Sequence, residues 1–85
     1  MAYELFYLPE CWEDVEGVPR DDLARIKKAV ETRLSIVPDR TGKPLKGTLK
    51  GLWRLRVGDY RVIYHIESKR VLVVRIGNRR DIYDS

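Results

Sequence analysis

The sequence has a single cysteine, Cys11, and a single histidine, His65. One cysteine excludes an internal disulfide, and the two side chains together are too few for a Cys/His zinc site, so we expect no metal and no cofactor. No apolar run approaches the roughly 20 residues of a membrane span, and the first residues lack the basic start and cleavage pattern of a signal peptide. We therefore expect a soluble chain in a reducing, cytoplasmic setting, with no membrane contact.

Basic side chains are missing from the start of the chain, and acidic ones are scarce in its second half. Residues 1–17 contain five acidic and no basic side chains, whereas residues 40–80 contain twelve basic and two acidic ones. The length of 85 residues and the hydrophobic content of 44% suit one domain, residues 1–85, with one modest core. The concentration of positive charge favours an anionic partner, and nucleic acid is the commonest partner of that kind.

Residues 51–66, GLWRLRVGDYRVIYHI, have the alternating pattern of a β-hairpin with a two-residue turn at Gly58 and Asp59. The register then sets three apolar pairs on one face: Trp53 with Tyr64, Leu55 with Val62, and Val57 with Tyr60. It also sets Arg56 across from Arg61. Like charges in that position destabilise a strand pair, and a bound polyanion would relieve the repulsion. Alternatively, both guanidinium groups extend into water and have no function.

The segments before the hairpin predict one strand and two helices. Residues 2–8 read as a strand that buries alternate aromatic and leucine side chains. Residues 9–17 read as a short acidic helix with Trp12 and Val15 on its packed side, ending at Gly17. A longer helix begins at Pro19 and ends near Val37. Its apolar stripe, which we expect to pack on the sheet, consists of Leu23, Ile26, Val30 and Leu34.

Two further segments complete the predicted fold. Residues 38–51 contain two prolines and three glycines and read as a long loop. Residues 71–76 read as the last strand, with Leu72, Val74 and Ile76 inside and Arg75 beside Arg61. The expected fold class is α+β: an antiparallel sheet made of the N-terminal strand and a three-strand meander, with two N-terminal helices on one face.

The motif LWRLRVGDYRVIY, followed closely by RIGNRRDIY and preceded by GKPLKG, resembles the RelE/ParE superfamily of bacterial and archaeal toxins, in particular its RelE-like branch. The resemblance implies a toxin of a type II toxin–antitoxin pair that a cognate antitoxin wraps and inactivates. Contact with operator DNA would come only through the complex with that antitoxin. It also implies cleavage of mRNA in the ribosomal A site, beside 16S rRNA, by attack of a ribose 2′-hydroxyl on the adjacent phosphate without a metal.

The resemblance assigns roles by position. Arg61 would contact the scissile phosphate, Arg79 would stabilise developing charge, Tyr83 would orient or stack on the substrate, and Arg54 would be a second catalytic cation. The expected RNA-binding side chains are the other basic residues of the strands, tail and loop: Arg56, Arg75, Arg80, Lys43, Lys46 and Lys50. For each loop lysine taken singly, a solvated side chain without function is an equally good interpretation.

The chain departs from the family pattern at Leu52, where relatives can carry lysine, and at Asn78, where many have histidine. Arginine is a poor general base, so the proton acceptor is unassigned. His65 shares the strand face of Arg61 but lies four residues, or roughly 13 Å, away. Two alternatives therefore stay open: a ParE-like inhibitor that acts on DNA gyrase by protein contact, and a catalytically decayed homologue that only binds nucleic acid.

Overall fold

The computed structural model describes residues 3–47 and 50–78. Its strands are β1 (Glu4–Tyr7), β2 (Lys43–Pro44), β3 (Trp53–Val57), β4 (Tyr60–Glu67) and β5 (Arg70–Asn78). Its helices are α1 (Glu10–Asp14), α2 (Arg20–Ala29), which continues into a π-helical segment (Val30–Leu34), and α3 (Pro38–Thr41). Among these residues, no helix is both long enough and apolar enough to cross a bilayer.

The strands form one sheet in the order β1-β5-β4-β3-β2. Strands β3, β4 and β5 are an antiparallel meander, and β2 pairs antiparallel to β3. This confirms the predicted α+β class with helices on one face. The predicted direction of the first strand is wrong, because β1 runs parallel to β5. The helices carry the chain back across the sheet, so β3 runs parallel to β1. The turns from β3 to β4 and from β4 to β5 each reverse the chain, so β5 is parallel to both β3 and β1.

The predicted hairpin is confirmed residue by residue. Arg56 lies opposite Arg61, and the apolar pairs fall in the expected register, from Val57 with Tyr60 to Trp53 with Tyr64. Gly58 has a φ of 61°, which a glycine at the first central position of a two-residue turn adopts without steric cost.

The helix stripe packs on this hairpin as predicted. Ile26, Val30 and Leu34 are buried against the core side of the sheet, while Leu23 is half-buried. These buried residues recur every four positions, a spacing that drifts around an α-helix with 3.6 residues per turn. The wider π-helical turn at 30–34 reduces that drift and keeps Val30 and Leu34 facing the sheet.

The packed side of α1 differs from the prediction. Cys11 is 1% exposed and its thiol donates a hydrogen bond to the Val73 carbonyl, with 3.3 Å between sulfur and oxygen. Burial raises the pKa of this thiol above its ordinary value. Trp12 is 63% exposed and its ring lies 5.8 Å from that of Tyr7. Val15 packs against the core, as predicted.

The last strand has a different phase from the one expected. A two-residue turn at Ser68 and Lys69 leads into β5, and the bulge lies within the strand, at the step from Ile63 to Tyr64 on its partner. The side chains that enter the core are therefore Val71, Val73 and Ile76, whereas Leu72 and Val74 are only half-buried. Arg75 lies opposite Ile63, and it is Gly77 that lies opposite Arg61.

The predicted loop at 38–51 contains two short elements, α3 and β2, so that prediction is wrong for its first half. The Tyr64 hydroxyl donates a hydrogen bond to the Pro38 carbonyl at 2.6 Å and anchors α3 to the sheet. Burial raises the pKa of this tyrosine to about 12. Leu45 follows β2 and is buried on the opposite side of the sheet from α2.

Candidate nucleic-acid interface

The face of the sheet opposite α2, here called the far face, carries a group of basic residues whose positions the strand registers fix. Lys43 lies opposite Arg54 across β2 and β3, and Arg56 lies opposite Arg61 across β3 and β4. Directly opposed residues of antiparallel strands share a face, with their Cβ atoms roughly 5 Å apart. These four residues are called the cationic cluster below, and they form two adjacent like-charged pairs.

Arg61 is the least exposed member of this cluster, at 6% of its full exposure. One Nη atom lies 3.4 Å from the carbonyl of Tyr60, at the long limit of a hydrogen bond. Charged residues are rarely buried so deeply. A charge held in these surroundings attracts an anion more strongly than one in bulk water, because the local dielectric is lower.

Apolar side chains lie beside the cations. Leu45 and Ile63 are buried, and Leu52 and Val74 pack against them. Ile63 is directly opposite Arg54 and two residues along the strand from Arg61. Leu52 therefore extends an apolar patch and supplies no proton donor or acceptor.

Arg75 is held away from the cationic cluster by an acidic partner. Its Nε and Nη2 atoms donate to the two carboxylate oxygens of Asp14 at 2.9 and 3.1 Å, and the Ile76 amide donates to the same carboxylate at 3.0 Å. Burial alone would raise the pKa of Asp14, but these hydrogen bonds and the positive charge hold it below its ordinary value. The prediction that Arg75 lies beside Arg61 is wrong, because Gly77 lies opposite Arg61 and Arg75 lies opposite Ile63.

The other predicted residues are spread more widely. Lys43, Lys46 and Lys50 are exposed on the segment that leads to β3. Three predicted residues, Arg79, Arg80 and Tyr83, lie outside the described residues. Asn78 ends β5 opposite Tyr60.

His65 lies on the far face but contacts the backbone of Gly51. Its Nδ1 lies 3.2 Å from the carbonyl of Gly51, and since a carbonyl only accepts, the Nδ1–H group is the donor in this contact. Within residues 3–47 and 50–78, no three histidine, cysteine, aspartate or glutamate side chains are grouped as metal ligands would be.

Sequence reasoning missed the residues that support this face. A Cβ atom at Gly42 would collide with the Tyr64 hydroxyl and with the carbonyl of Arg54. Gly42 therefore allows the chain to pass close to β3 and deliver Lys43 to its place opposite Arg54. The glycine in the motif GKPLKG was the available signal, but the partner that crowds it is 22 positions away in the sequence.

Comparison with known proteins agrees with this architecture. The family model described as the ParE toxin of the type II toxin–antitoxin system parDE matches residues 5–83. The chain is 33% identical to toxin RelG of Mycobacterium tuberculosis over 85 residues, 98% of each chain. It is 38% identical to toxin RelE of the same organism over 72 residues, which are 82% of this chain and 74% of that one.

A solved structure supports the same relationship. A chain in the crystal structure of the toxin–antitoxin complex RelBE2 from Mycobacterium tuberculosis superposes with a TM-score of 0.87 at 30% identity, covering 93% of this chain and all of that one. The chain therefore belongs to the RelE/ParE superfamily of toxins of type II toxin–antitoxin systems.

Proposed function

We propose that this toxin is a RelE-like endoribonuclease that cleaves mRNA in the ribosomal A site and so stops translation. The observation that carries the proposal is the cationic cluster, in which Arg61 is nearly buried and lies opposite Arg56, beside the opposed pair Lys43 and Arg54. The names of the relatives RelG and RelE support the RelE-like branch.

The proposed reaction joins the ribose 2′-oxygen to the adjacent phosphorus and breaks the bond from phosphorus to the 5′-oxygen. Negative charge grows on the phosphate oxygens as the new bond forms. Arg61 and Arg54 are suited to stabilise that charge, because they stay protonated and are already positioned before the reaction begins. By resemblance, Arg79 and Tyr83 would complete the site. The 2′-hydroxyl must lose a proton and the 5′-oxygen must gain one, and neither arginine is suited to act as the base.

A cognate antitoxin is the proposed protein partner. Solved structures similar in fold to this chain include toxin–antitoxin complexes. Four large apolar side chains are exposed within the described part of the chain, namely Phe6, Trp12, Ile36 and Val37. Exposed apolar side chains of this size suit burial under a second protein chain.

The ParE-like alternative has one observation in its favour, which is that the matching family model is described as a ParE toxin. A toxin that inhibits DNA gyrase by protein contact needs no catalytic residues. The two functions therefore differ in whether a single cation of the cluster is indispensable to toxicity.

The test is induced expression of the wild type and of Arg61→Ala, with Arg70→Ala as the matched control. Arg70 is an exposed arginine at the start of β5, outside the cationic cluster. Wild type and Arg70→Ala should arrest growth and create new 5′ ends at A-site codons of ribosome-bound transcripts. Removing an interaction made in the transition state should slow cleavage by Arg61→Ala roughly a hundredfold or more.

Antitoxin capture and a melting curve establish that each variant is folded. Intact transcripts together with gyrase-linked DNA breaks would support the ParE-like function instead. Full toxicity of Arg61→Ala would contradict the nuclease proposal.

A further inference from the structure

A second group of basic residues lies at the edge of the sheet, on the side of α2. A cleft of about 290 Å³ opens between the later part of α2, its π-helical extension and the end of β3. Four basic residues line it: Arg25, Lys28, Arg33 and Arg56. The sequence analysis assigned no function to the three members on the helix.

The fold brings these side chains together for identifiable reasons. Positions 25, 28 and 33 lie three to five residues apart and so project from neighbouring parts of the helix surface. In the described part of the chain, β2 pairs only with Trp53 and Arg54, which leaves the later half of β3 as an open edge beside that helix. The cleft is the space between this open edge and the helix.

Positive charge in the cleft is only weakly compensated. Arg25 lies 3.9 Å from the carboxylate of Asp22, a long and largely exposed contact that contributes little. Asp22 also accepts a hydrogen bond from the Tyr60 hydroxyl at 3.2 Å. Among the described residues, no acidic side chain lines the cleft itself.

Arg56 belongs both to this cleft and to the cationic cluster. Positive charge is therefore continuous around the edge of β3, from Arg61 on the far face to Lys28 and Arg33 on the helix. We infer that the cleft binds the sugar–phosphate backbone of the RNA strand whose reacting phosphate lies at Arg61. This inference rests on the proposed function and adds the path that the flanking nucleotides take.

The composition of the cleft favours RNA over an acidic protein. The apolar residues among those that line it are small, Ala29 and Val57, whereas protein interfaces depend on large aromatic or aliphatic anchors in pockets. The exposed apolar residues, including Trp12 and Ile36, do not line the cleft. Several long cations around a shallow cleft suit a charged backbone that is held without sequence preference.

The test compares the double variant Lys28→Ala/Arg33→Ala with the charge-matched control Arg20→Ala/Lys27→Ala. The control residues are exposed on the same helix and do not line the cleft. Binding of fluorescein-labelled oligoadenylates of about four and about twelve nucleotides is followed by anisotropy at increasing salt concentration. Melting curves confirm that all variants are folded.

The cleft variant should bind the longer RNA roughly tenfold more weakly than the control does. The slope of log affinity against log salt should fall by about 0.7 for each phosphate that the variant no longer neutralises. Binding of the shorter RNA, which reaches only the far face, should match that of the control. The variant Lys28→Arg/Arg33→Lys, which keeps both charges, should retain wild-type affinity.

Equal affinity of the cleft variant and the control for the longer RNA would overturn the inference and leave the proposed function intact. If the cleft variant binds both RNAs normally but fails to capture the antitoxin, the cleft is a protein contact and the inference is wrong. Failure of the wild type to bind either RNA, together with intact transcripts in cells, would instead refute the proposed function.

Discussion

Among the described glycines, Gly42 has the least space for a side chain. Its φ of −102° and ψ of −172° are an extended conformation that any residue can adopt, so its backbone does not require glycine. The requirement is steric, because an added Cβ would meet the Tyr64 hydroxyl and the Arg54 carbonyl. The same tyrosine donates the hydrogen bond that holds Pro38. A small residue at this position therefore keeps α3, β2 and β3 together.

We predict that Gly42→Ala lowers the free energy of unfolding by roughly 1 to 3 kcal/mol, as overpacking a close contact usually does. Gly17→Ala is the matched control, because a Cβ there meets nothing within 4 Å. Its effect should stay within about 0.5 kcal/mol. Urea denaturation of both variants measures the difference. Equal stability of the two variants would show that residues 38–44 can move away from β3 at little cost.

Single-residue burial was the level at which sequence reasoning was least reliable. In the five-residue helix α1, the pattern allowed Trp12 to be chosen as the packed residue, but the sheet contacts Cys11. A helix of little more than one turn contains too few apolar positions to define a face. Arg61 was placed on the correct face, opposite Arg56, but strand alternation gives no indication that only 6% of it is exposed.

At the scale of elements, the ion pair between Asp14 and Arg75 attaches α1 to β5. The carboxylate accepts two hydrogen bonds from the guanidinium and a third from the Ile76 amide, immediately after the β-bulge. The side chain of Asp14 is mostly buried, whereas that of Arg75 is largely exposed. The pair therefore fixes one end of a short helix to the part of the strand whose register is shifted.

We predict that Asp14→Asn lowers the free energy of unfolding by about 1 to 2 kcal/mol at pH 7, a value reduced for the exposure of Arg75. The pKa of Asp14 is lower in the folded chain than in the unfolded one. Its stabilising effect is therefore complete above the unfolded pKa, roughly pH 4, and is lost as the pH falls through the folded pKa.

The free energies of unfolding of wild type and Asp14→Asn, measured over a series of pH values, should converge in acid and differ at neutral pH. Glu13→Gln, an exposed neighbour on the same helix, removes the same charge and should change stability little. A constant difference between Asp14→Asn and wild type down to pH 2 would mean that the ionised carboxylate is not the source of the effect.

Elements whose structure depends on local sequence were predicted well. The register from Val57 with Tyr60 to Trp53 with Tyr64 followed from strict alternation and a glycine turn, both contained in a few residues. The phase of β5 was missed because the bulge is coupled to Asp14, which is 61 positions away from Arg75 in the sequence. The elements α3 and β2 were missed because they are too short to have a period and depend on distant contacts such as that of Tyr64.

At the scale of the whole molecule, the two faces of the sheet have different roles. One face forms the core that stabilises the fold, and the other carries the residues of the proposed chemistry. The core side, with Leu55, Val62 and Tyr64 under the helix stripe, buries most of the apolar surface. The far face carries the cationic cluster around a small apolar patch. The direction of β1 could have been predicted from the number of chain reversals. The positive charge around the edge of β3 could not, because it depends on how the helix packs on the sheet. Sequence alone therefore predicted the pair Arg56 and Arg61 and its face, but not the second pair, Lys43 and Arg54, or the cleft beside the helix.

This separation leads to the last prediction, which concerns Leu55→Ala. Leu55 is 2% exposed in the core, so its truncation should cost about 2 to 4 kcal/mol. Domains have roughly 5 to 15 kcal/mol of stability and small ones lie toward the lower end, so the ratio of unfolded to folded chain should rise roughly thirtyfold or more. Toxicity should fall with the folded fraction, while the cleavage rate per folded molecule stays at the wild-type value. Arg61→Ala should behave in the opposite way, with the chain folded and the cleavage rate reduced roughly a hundredfold or more.

The control for this comparison is Ile36→Ala, which removes the same number of carbon atoms from a side chain that is 60% exposed. Melting temperature, growth arrest and cleavage on isolated ribosomes are measured for all three variants. Because a ligand that binds only the folded chain stabilises it by mass action, antitoxin at about a hundredfold its dissociation constant should add roughly 2.7 kcal/mol and restore folding of Leu55→Ala. If Leu55→Ala is as stable as Ile36→Ala, the core side of the sheet does not determine stability. If folded Leu55→Ala instead cleaves as slowly as Arg61→Ala, then the core also sets the geometry of the cationic cluster, and the two sides of the sheet do not act independently.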